Sequence, residues 1–372
     1  MSRIALANYA NLTLYVAMVV LALAMLAFAV HVAFAVPRLR EKTPVEGREA
    51  SPGQDARTAE RQLATAGAGR AVPGRSILVG DPASDDAEAG VGRRDDGARA
   101  AGDGASRERG SRGERLGGAG MTLAWLAAML LLASVVLRGV AVHRVPVANM
   151  FEFAVFGSML VMFVYLGLAM RWSIRWLGLF VVVPVLLVLG LALTVWYSPA
   201  AELLPSLQSL WLAIHVPIAT LSVAVFTIAF SVLLLQLAKD RRETQVADDT
   251  SEPPRRRSGG AWAVLDSLPS ARTLDSLAYG LHIVAFPLWT FSLIAGAIWA
   301  QRAWGSYWNW DPKEIWTFVI WVIYAAYLHA RATSGWSRRT ANTLAVVGYL
   351  AIVVNFAIVN VYFVGQHSYS GL

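Results

Sequence analysis

The sequence predicts an all-α polytopic membrane protein of about eight transmembrane helices, with both termini outside and a disordered cytoplasmic insert. Three observations carry this. Of 372 residues, 56% are hydrophobic. These fall in runs of about 20 residues, the length that crosses a hydrocarbon layer of about 30 Å. The 32 Lys and Arg residues, which give a net charge of +7, cluster in alternate connections, as cytoplasmic loops do. No folded soluble domain carries that charge, so it does not indicate a nucleic-acid partner. The chain has no cysteine, which excludes disulfides, thiolate ligands and thiol redox chemistry of its own.

The first helix is predicted from about Tyr9 to Val36. Arg3 is its only early charge, and no convincing small-residue cleavage site follows, so it reads as a retained span rather than a leader. Pro37-Arg38-Leu-Arg40 ends it. From Glu41 to about Gly120 the chain is rich in Ala, Gly, Arg, Asp and Ser and has no aromatic residue. Such a segment buries too little apolar surface to offset chain entropy, and the expectation is a disordered linker over residues 37–120. Residues 121–372 form a core of seven helices. The second runs from Met121 to Val142, and a turn through His143 and Pro146 leads to the third, Met150 to Met170. The fourth spans Trp176 to Trp196 and the fifth Leu210 to Ala238. A polar loop with Arg255-Arg256-Arg257 precedes the sixth, Leu274 to Ala300. The seventh runs from Pro312 to Ala332 and the eighth from Thr343 to Val364.

Charge orients these spans. Arg38, Arg40, Arg171, Arg175, Arg241, Arg242, Arg338 and Arg339 share one side with the arginine triplet. Only scattered charges such as Arg144, Arg302 and Lys313 lie on the other. The positive-inside rule makes the first side cytoplasmic. The loop at 301–314, the His143 turn and the C-terminal tail then lie outside a cytoplasmic (plasma) membrane.

That loop holds the densest chemistry. Trp304-Gly-Ser-Tyr-Trp308-Asn-Trp310-Asp311-Pro312-Lys313-Glu314 places three Trp and one Tyr in a polar turn between two apolar runs. Asp311 is the expected N-cap, Pro312 suits the first helical position, and Glu314 completes a capping box. The aromatic residues read either as an interfacial belt or as a flat surface that holds a ligand. Histidine is the residue type to track, because ionisable groups in membrane spans are costly and face a partner or a cavity. His215 opens the fifth helix and His367 follows the eighth, both at the depth of the loop. Two imidazoles beside an aromatic platform suit a flat metallomacrocycle. The plainer readings are a backbone-bonded interfacial histidine near Pro217 and a solvated tail residue. His329 lies 17 residues beyond Pro312, about 25 Å further along its helix. His282 falls in the same inner half, where a helix–helix hydrogen bond or snorkelling accounts for it. His31 and His143 receive no role, and Glu152 reads as a helix cap. No phosphate loop, paired-carboxylate motif or Gly-x-Ser-x-Gly nucleophile is present.

The loop, continued through Ile315-Trp316 to Tyr327-Leu328-His329-Ala330-Arg331, resembles the signature of the tryptophan-rich haem-handling membrane proteins. These are the CcsA, CcmC and CcmF families of cytochrome c biogenesis. Pro146-Val-Ala-Asn149-Met-Phe-Glu152, Trp211-Leu-Ala-Ile-His215-Val-Pro217 and Gly365-Gln-His367-Ser-Tyr369 look like the CcsA (ResC-like) type. The resemblance implies the membrane subunit of a haem lyase, the system II cytochrome c synthase. It would bind haem b and present it for thioether attachment to the Cys-x-x-Cys-His segment of apocytochrome c. It maps the external axial ligands to His215 and His367 and an internal haem ligand to His329. The internal mate is implied to lie on a CcsB/ResB-type membrane partner. Trp304, Trp308, Trp310 and Asp311 belong to the implied haem site. Trp308 and Trp310 are expected to form the platform, with Asp311 and Glu314 fixing the loop. Arg302 and Lys313 are the two candidates to meet a propionate. No family site corresponds to His282. Two other functions stay open: a haem exporter or relay of the CcmC type without attachment chemistry, and a non-haem scaffold anchored in lipid by the loop.

Overall fold

The computed structural model describes residues 2–41, 92–200, 209–248 and 261–367. Among the described residues the only regular structure is helical, and eight helices are long and apolar enough to cross a membrane. The chain divides into two units, Met1–Val36 with Ser111–Leu372, and Pro37–Gly110. The eight candidate spans lie in the first. Most of the predicted disordered linker, 42–91, lies outside the described residues.

The helices are α1 (Arg3–Glu41), α2 (Gly92–Val142), α3 (Met150–Arg171), α4 (Gly178–Thr194), α5 (Leu210–Asp248), a short α6 (Ala261–Ser267), α7 (Ala271–Trp304), α8 (Pro312–Ala332) and α9 (Arg338–Val354). A π-helical turn, Asn355–Val359, and a last turn, Asn360–Tyr362, continue α9. Several helices exceed their predicted bounds. Polar ends such as Lys239–Asp248 extend α5 as ordinary helix beyond the apolar run that hydropathy detects.

The largest difference concerns the linker, read from composition as ending at Gly120. Helix α2 already begins at Gly92. Its stretch Ser111–Gly120 packs on α1 because Gly113, Gly117 and Gly120 share one face and let the backbones approach. His31 fills the gap over Gly117 and donates from Nδ1 to the Gly113 carbonyl at 2.7 Å. A Cβ on Gly117 would stand 2.6 Å from that Nδ1 and 3.0 Å from Cγ. Gly117→Ala is therefore expected to destabilise the protein by about 1–3 kcal/mol through overpacking. A lowered melting temperature in detergent, with an unchanged site, is the measurement that checks it.

The bundle has an apolar core like that of a soluble protein, but it also buries polar groups and turns apolar side chains outward. Buried positions include Glu152, Asp275, His282, Asn342 and Asn355, while Leu12, Val19, Leu23, Leu187, Val284, Ile294 and Leu350 are exposed. Outward apolar side chains on every span are what lipid requires. Helices α5 and α7 pack closely along their length, pinned where Ser222 Oγ donates to the Ala285 carbonyl at 2.8 Å. Helix α8 is tied to α7 by Trp289 Nε1 to the Thr317 carbonyl (3.2 Å) and Trp321 Nε1 to Thr290 Oγ1 (3.0 Å). Gly305, at φ +77°, ends α7, a conformation that glycine adopts without steric cost. The chain then crosses the tryptophan loop and enters α8 through the predicted capping box of Asp311 and Glu314.

Candidate functional site

The start of α5, the end of α7, the tryptophan loop, the start of α8 and the tail after α9 meet at one end of the bundle. They enclose a cavity of about 1170 Å³, counting the space at its open mouth. His215, Trp299, Tyr307, Trp308, Lys313 and His367 all line it. A wall that is mostly apolar with a few convergent polar groups is the usual form of a small-molecule site.

His215 faces α7 because that helix offers small residues opposite it. Ser292, Gly296 and Trp299 recur at helical spacing along the α7 face. The His215 Nδ1–H donates to the Ser292 carbonyl at 2.8 Å, and Ser292 Oγ lies 3.3 Å from the same nitrogen. Gly296 leaves room for the ring: a Cβ there would stand 2.7 Å from His215 Cε1. The indole of Trp299 lies nearly parallel to the imidazole, 14° between planes with centroids 6.3 Å apart. With Nδ1 donating, the lone pair of the neutral ring sits on Nε2, the tautomer suited to a metal ligand.

His367 reaches the same cavity from the tail. Its Nδ1 lies 3.0 Å from Asp311 Oδ1, a carboxylate–histidine pair that again leaves Nε2 as the ligand nitrogen. Trp304 packs edge-on to the ring at 4.7 Å and Trp299 at 5.9 Å. Asp311 Oδ2 accepts the Gln366 N–H at 2.6 Å, while Oδ1 also accepts the Lys313 N–H at 2.9 Å. Asn309 Nδ2 donates to Gln366 Oε1 at 3.0 Å. One carboxylate thus caps α8, latches the tail and orients the histidine. Burial raises the Asp311 carboxyl, but the hydrogen bond from His367, its charge when the ring is protonated, and the Lys313 and Gln366 N–H donors outweigh it, so its pKa is lowered.

The third wall depends on Glu152, which does more than cap a helix. Asn149 is the actual N-cap of α3, its Oδ1 accepting from the Glu152 N–H at 2.9 Å. The Glu152 carboxylate is buried and receives Arg138 Nε at 2.9 Å, Arg144 Nη1 at 2.7 Å and the Ala148 N–H at 3.0 Å. These bonds hold the turn at Val147, Ala148 and Asn149 against the cavity.

The remaining sequence candidates divide. Trp308 lines the cavity, but Trp310 is not in its wall: it is 73% exposed, with φ +58°, and packs edge-on to Trp308 at 5.9 Å. Trp299 lies against both histidines and Trp304 against His367, while Trp310 packs on Trp308. Trp299 stands in an apolar helix run that gives it no distinguishing pattern, although Ser292, Gly296 and Trp299 stand at i, i+4 and i+7, a relation legible once His215 is a candidate. Arg302 turns away, its guanidinium 5.8 Å from the Trp211 ring centroid. Lys313 faces the cavity. His329 is exposed on α8, in line with Ile315, Phe318, Val322 and Ala326, and does not reach the cavity. His282 is a core residue: Nδ1 donates to the Ala278 carbonyl at 2.7 Å among Phe226, Tyr324 and Tyr327.

Fold and site together define a multi-pass helical membrane protein with a histidine-bracketed tryptophan loop. The chain belongs to the cytochrome c assembly family, whose description "Cytochrome C assembly protein" matches residues 123–367. It is of CcsA type within that family, in agreement with the sequence resemblance. It is 34% identical over 248 residues to the cytochrome c biogenesis protein CcsA of Heterosigma akashiwo, covering 61% of this chain and 77% of the relative. CcsA of Gloeobacter violaceus is 34% identical over 275 residues, 63% of this chain and 81% of the relative. CcsA of a Synechococcus species is 40% identical over 182 residues, 46% and 59% respectively.

Proposed function

We propose that the cavity binds haem b with His215 and His367 as axial ligands. In this reading the haem is presented on the extracytoplasmic side of the plasma membrane for attachment to apocytochrome c. The observation that carries it is the matched pair of imidazoles. Each has Nδ1 engaged, by the Ser292 carbonyl or the Asp311 carboxylate, and each lines the same aromatic cavity. Haem is the substrate, and the chain's own work is to fix two ring orientations, exclude water with Trp299 and Trp308, and leave the cavity mouth open. A Cys-x-x-Cys-His segment entering there would bring two thiols to the vinyl groups, which is why a protein without cysteine suffices. Positioning of this kind supplies most of what such a reaction needs from its protein.

His329 is proposed as the ligand of an internal haem. Its exposure on an otherwise apolar stripe of α8 supports a second polypeptide there, since a histidine facing lipid is costly. A CcsB/ResB-type membrane protein is the proposed partner, and the two chains together are the proposed lyase.

The test is a visible spectrum of the protein purified in detergent with that partner. The wild type is expected to show reduced six-coordinate haem, and His215→Ala with His367→Ala to lose the share of that signal that the external haem contributes. Wild type without haem, or an unchanged spectrum in the double variant, would remove the external site from consideration.

A further inference from the structure

We infer that Lys313, Asn355 and Asn360 form an anion subsite in the cavity wall, which takes a carboxylate of the bound tetrapyrrole. The inference rests on the haem reading above and assigns a propionate to one place in the pocket.

Lys313 is a cavity-facing cation whose ammonium donates to neutral groups. Its Nζ donates to Asn360 Oδ1 at 2.8 Å and to the Asn355 carbonyl at 3.4 Å. Among the described residues no carboxylate lies within ion-pairing distance of it. Asp311 is spent on His367 and two backbone N–H groups, and Glu314 on the N–H groups of Asn309 and Asp311 at 2.8 and 3.1 Å. A lysine held in a membrane protein by two amide oxygens is incompletely compensated. All three residues line the cavity.

The second observation is independent of the lysine. The π-helical turn Asn355–Val359 interrupts α9 beside the cavity. Such a turn inserts one residue into the helix and recurs at functional sites. Here it sets Asn355 and Asn360, five positions apart, toward the same Lys313 ammonium. Asn355 Oδ1 is buried without a hydrogen-bond partner, and an orphaned buried amide marks a place where a polar partner belongs. That oxygen is an acceptor and calls for a donor; it is the Asn355 NH2, which is not among the buried unpaired atoms, that can meet a carboxylate that Lys313 also contacts. The start of α8, from which Lys313 projects, adds a favourable dipole for negative charge. Arg302, the other cation near the loop, is on Trp211 instead.

The test titrates the full chain, purified with its partner, with ferric haem and with haem dimethyl ester, whose propionates carry no charge. Absorbance changes of the iron report binding, so the readout does not depend on cytochrome maturation. Wild type is expected to prefer the free acid by about 10- to 100-fold, the scale of one charge-assisted hydrogen bond. Lys313→Met should remove that preference while retaining the bis-histidine spectrum, and Lys313→Arg should keep part of it. Equal binding of acid and diester by wild type would overturn the subsite and leave the haem reading standing; this arm needs no variant to fold. A preference that survives in Lys313→Met would also overturn it. Binding of neither compound by wild type would sink the haem reading and the subsite together.

Discussion

Glu152→Ala is expected to be among the most destabilising single substitutions in the chain, costing about 3–5 kcal/mol. The carboxylate is 1% exposed and receives donors from Arg138, Arg144 and the Ala148 backbone. Arg138 is itself buried, with Nη2 on the Ser198 carbonyl at 2.7 Å and its guanidinium 4.7 Å from the Phe151 ring centroid. Removing the anion leaves that buried guanidinium with the Ser198 carbonyl and the Phe151 ring but no counter-charge on its Nε. Most of the loss is therefore the stranded charge rather than the forfeited hydrogen bonds. A double variant separates the two. Glu152→Ala combined with Arg138→Met should recover part of the stability, because the charge that demanded compensation is gone. Thermal unfolding in detergent measures both. A single variant as stable as wild type, or a double variant worse than the sum of the singles, would contradict the assignment. Because Val147, Ala148 and Asn149 line the cavity, the same substitution is also expected to disturb the haem proposed to bind there.

How much of this was legible in the sequence differs by residue type. Helix existence followed from run length alone, since nothing but a span explains repeated apolar stretches of about 20 residues. The start of α8 was legible to the residue because Asp311, Pro312 and Glu314 each have a local physical role that needs no tertiary knowledge. His215 and His367 were singled out by the family resemblance, because spacing alone favours an interfacial histidine for the one and a solvated tail residue for the other. The linker boundary was misread where Gly113, Gly117 and Gly120 look like low complexity but serve as a packing face for His31 and Phe28. Composition cannot distinguish a glycine that loosens a chain from one that lets two helices touch. Trp310 was assigned to the platform by proximity to Trp308. Its left-handed backbone, set by the turn into α8, points it outward instead. The π-helical turn at Asn355 has no sequence signal in this chain, so the two asparagines that meet Lys313 were not visible as a pair. Glu152 read as a cap because its partners Arg138 and Arg144 are 14 and 8 residues away, beyond any local capping pattern.

Asp311→Asn is expected to weaken haem binding by about 10- to 100-fold, the usual cost of losing the group that orients a ligating histidine. Asparagine is nearly isosteric and caps a helix about as well as aspartate. The start of α8 should therefore survive, and the loss can be read as a ligand effect. The charge is what changes: Oδ1 no longer offers an anionic acceptor to His367 Nδ1, and Oδ2 no longer draws in the Gln366 N–H at 2.6 Å. Asp311→Ala should lose binding and a further ~1 kcal/mol of stability, because the cap is lost as well. Haem titration and a melting curve on the two variants separate these effects. Tight binding by Asp311→Asn would mean that His367 is positioned by contacts other than the Asp311 charge, such as those with Trp299 and Trp304. The pH dependence has a definite sign. The Asp311 pKa is lowered from its ordinary 3.8, so its contribution to stability is complete above that value and is lost as pH falls through the lower folded one. Protonation therefore imitates Asp311→Asn only in strong acid. A latch that opens between about pH 5 and 7 cannot be attributed to this carboxyl.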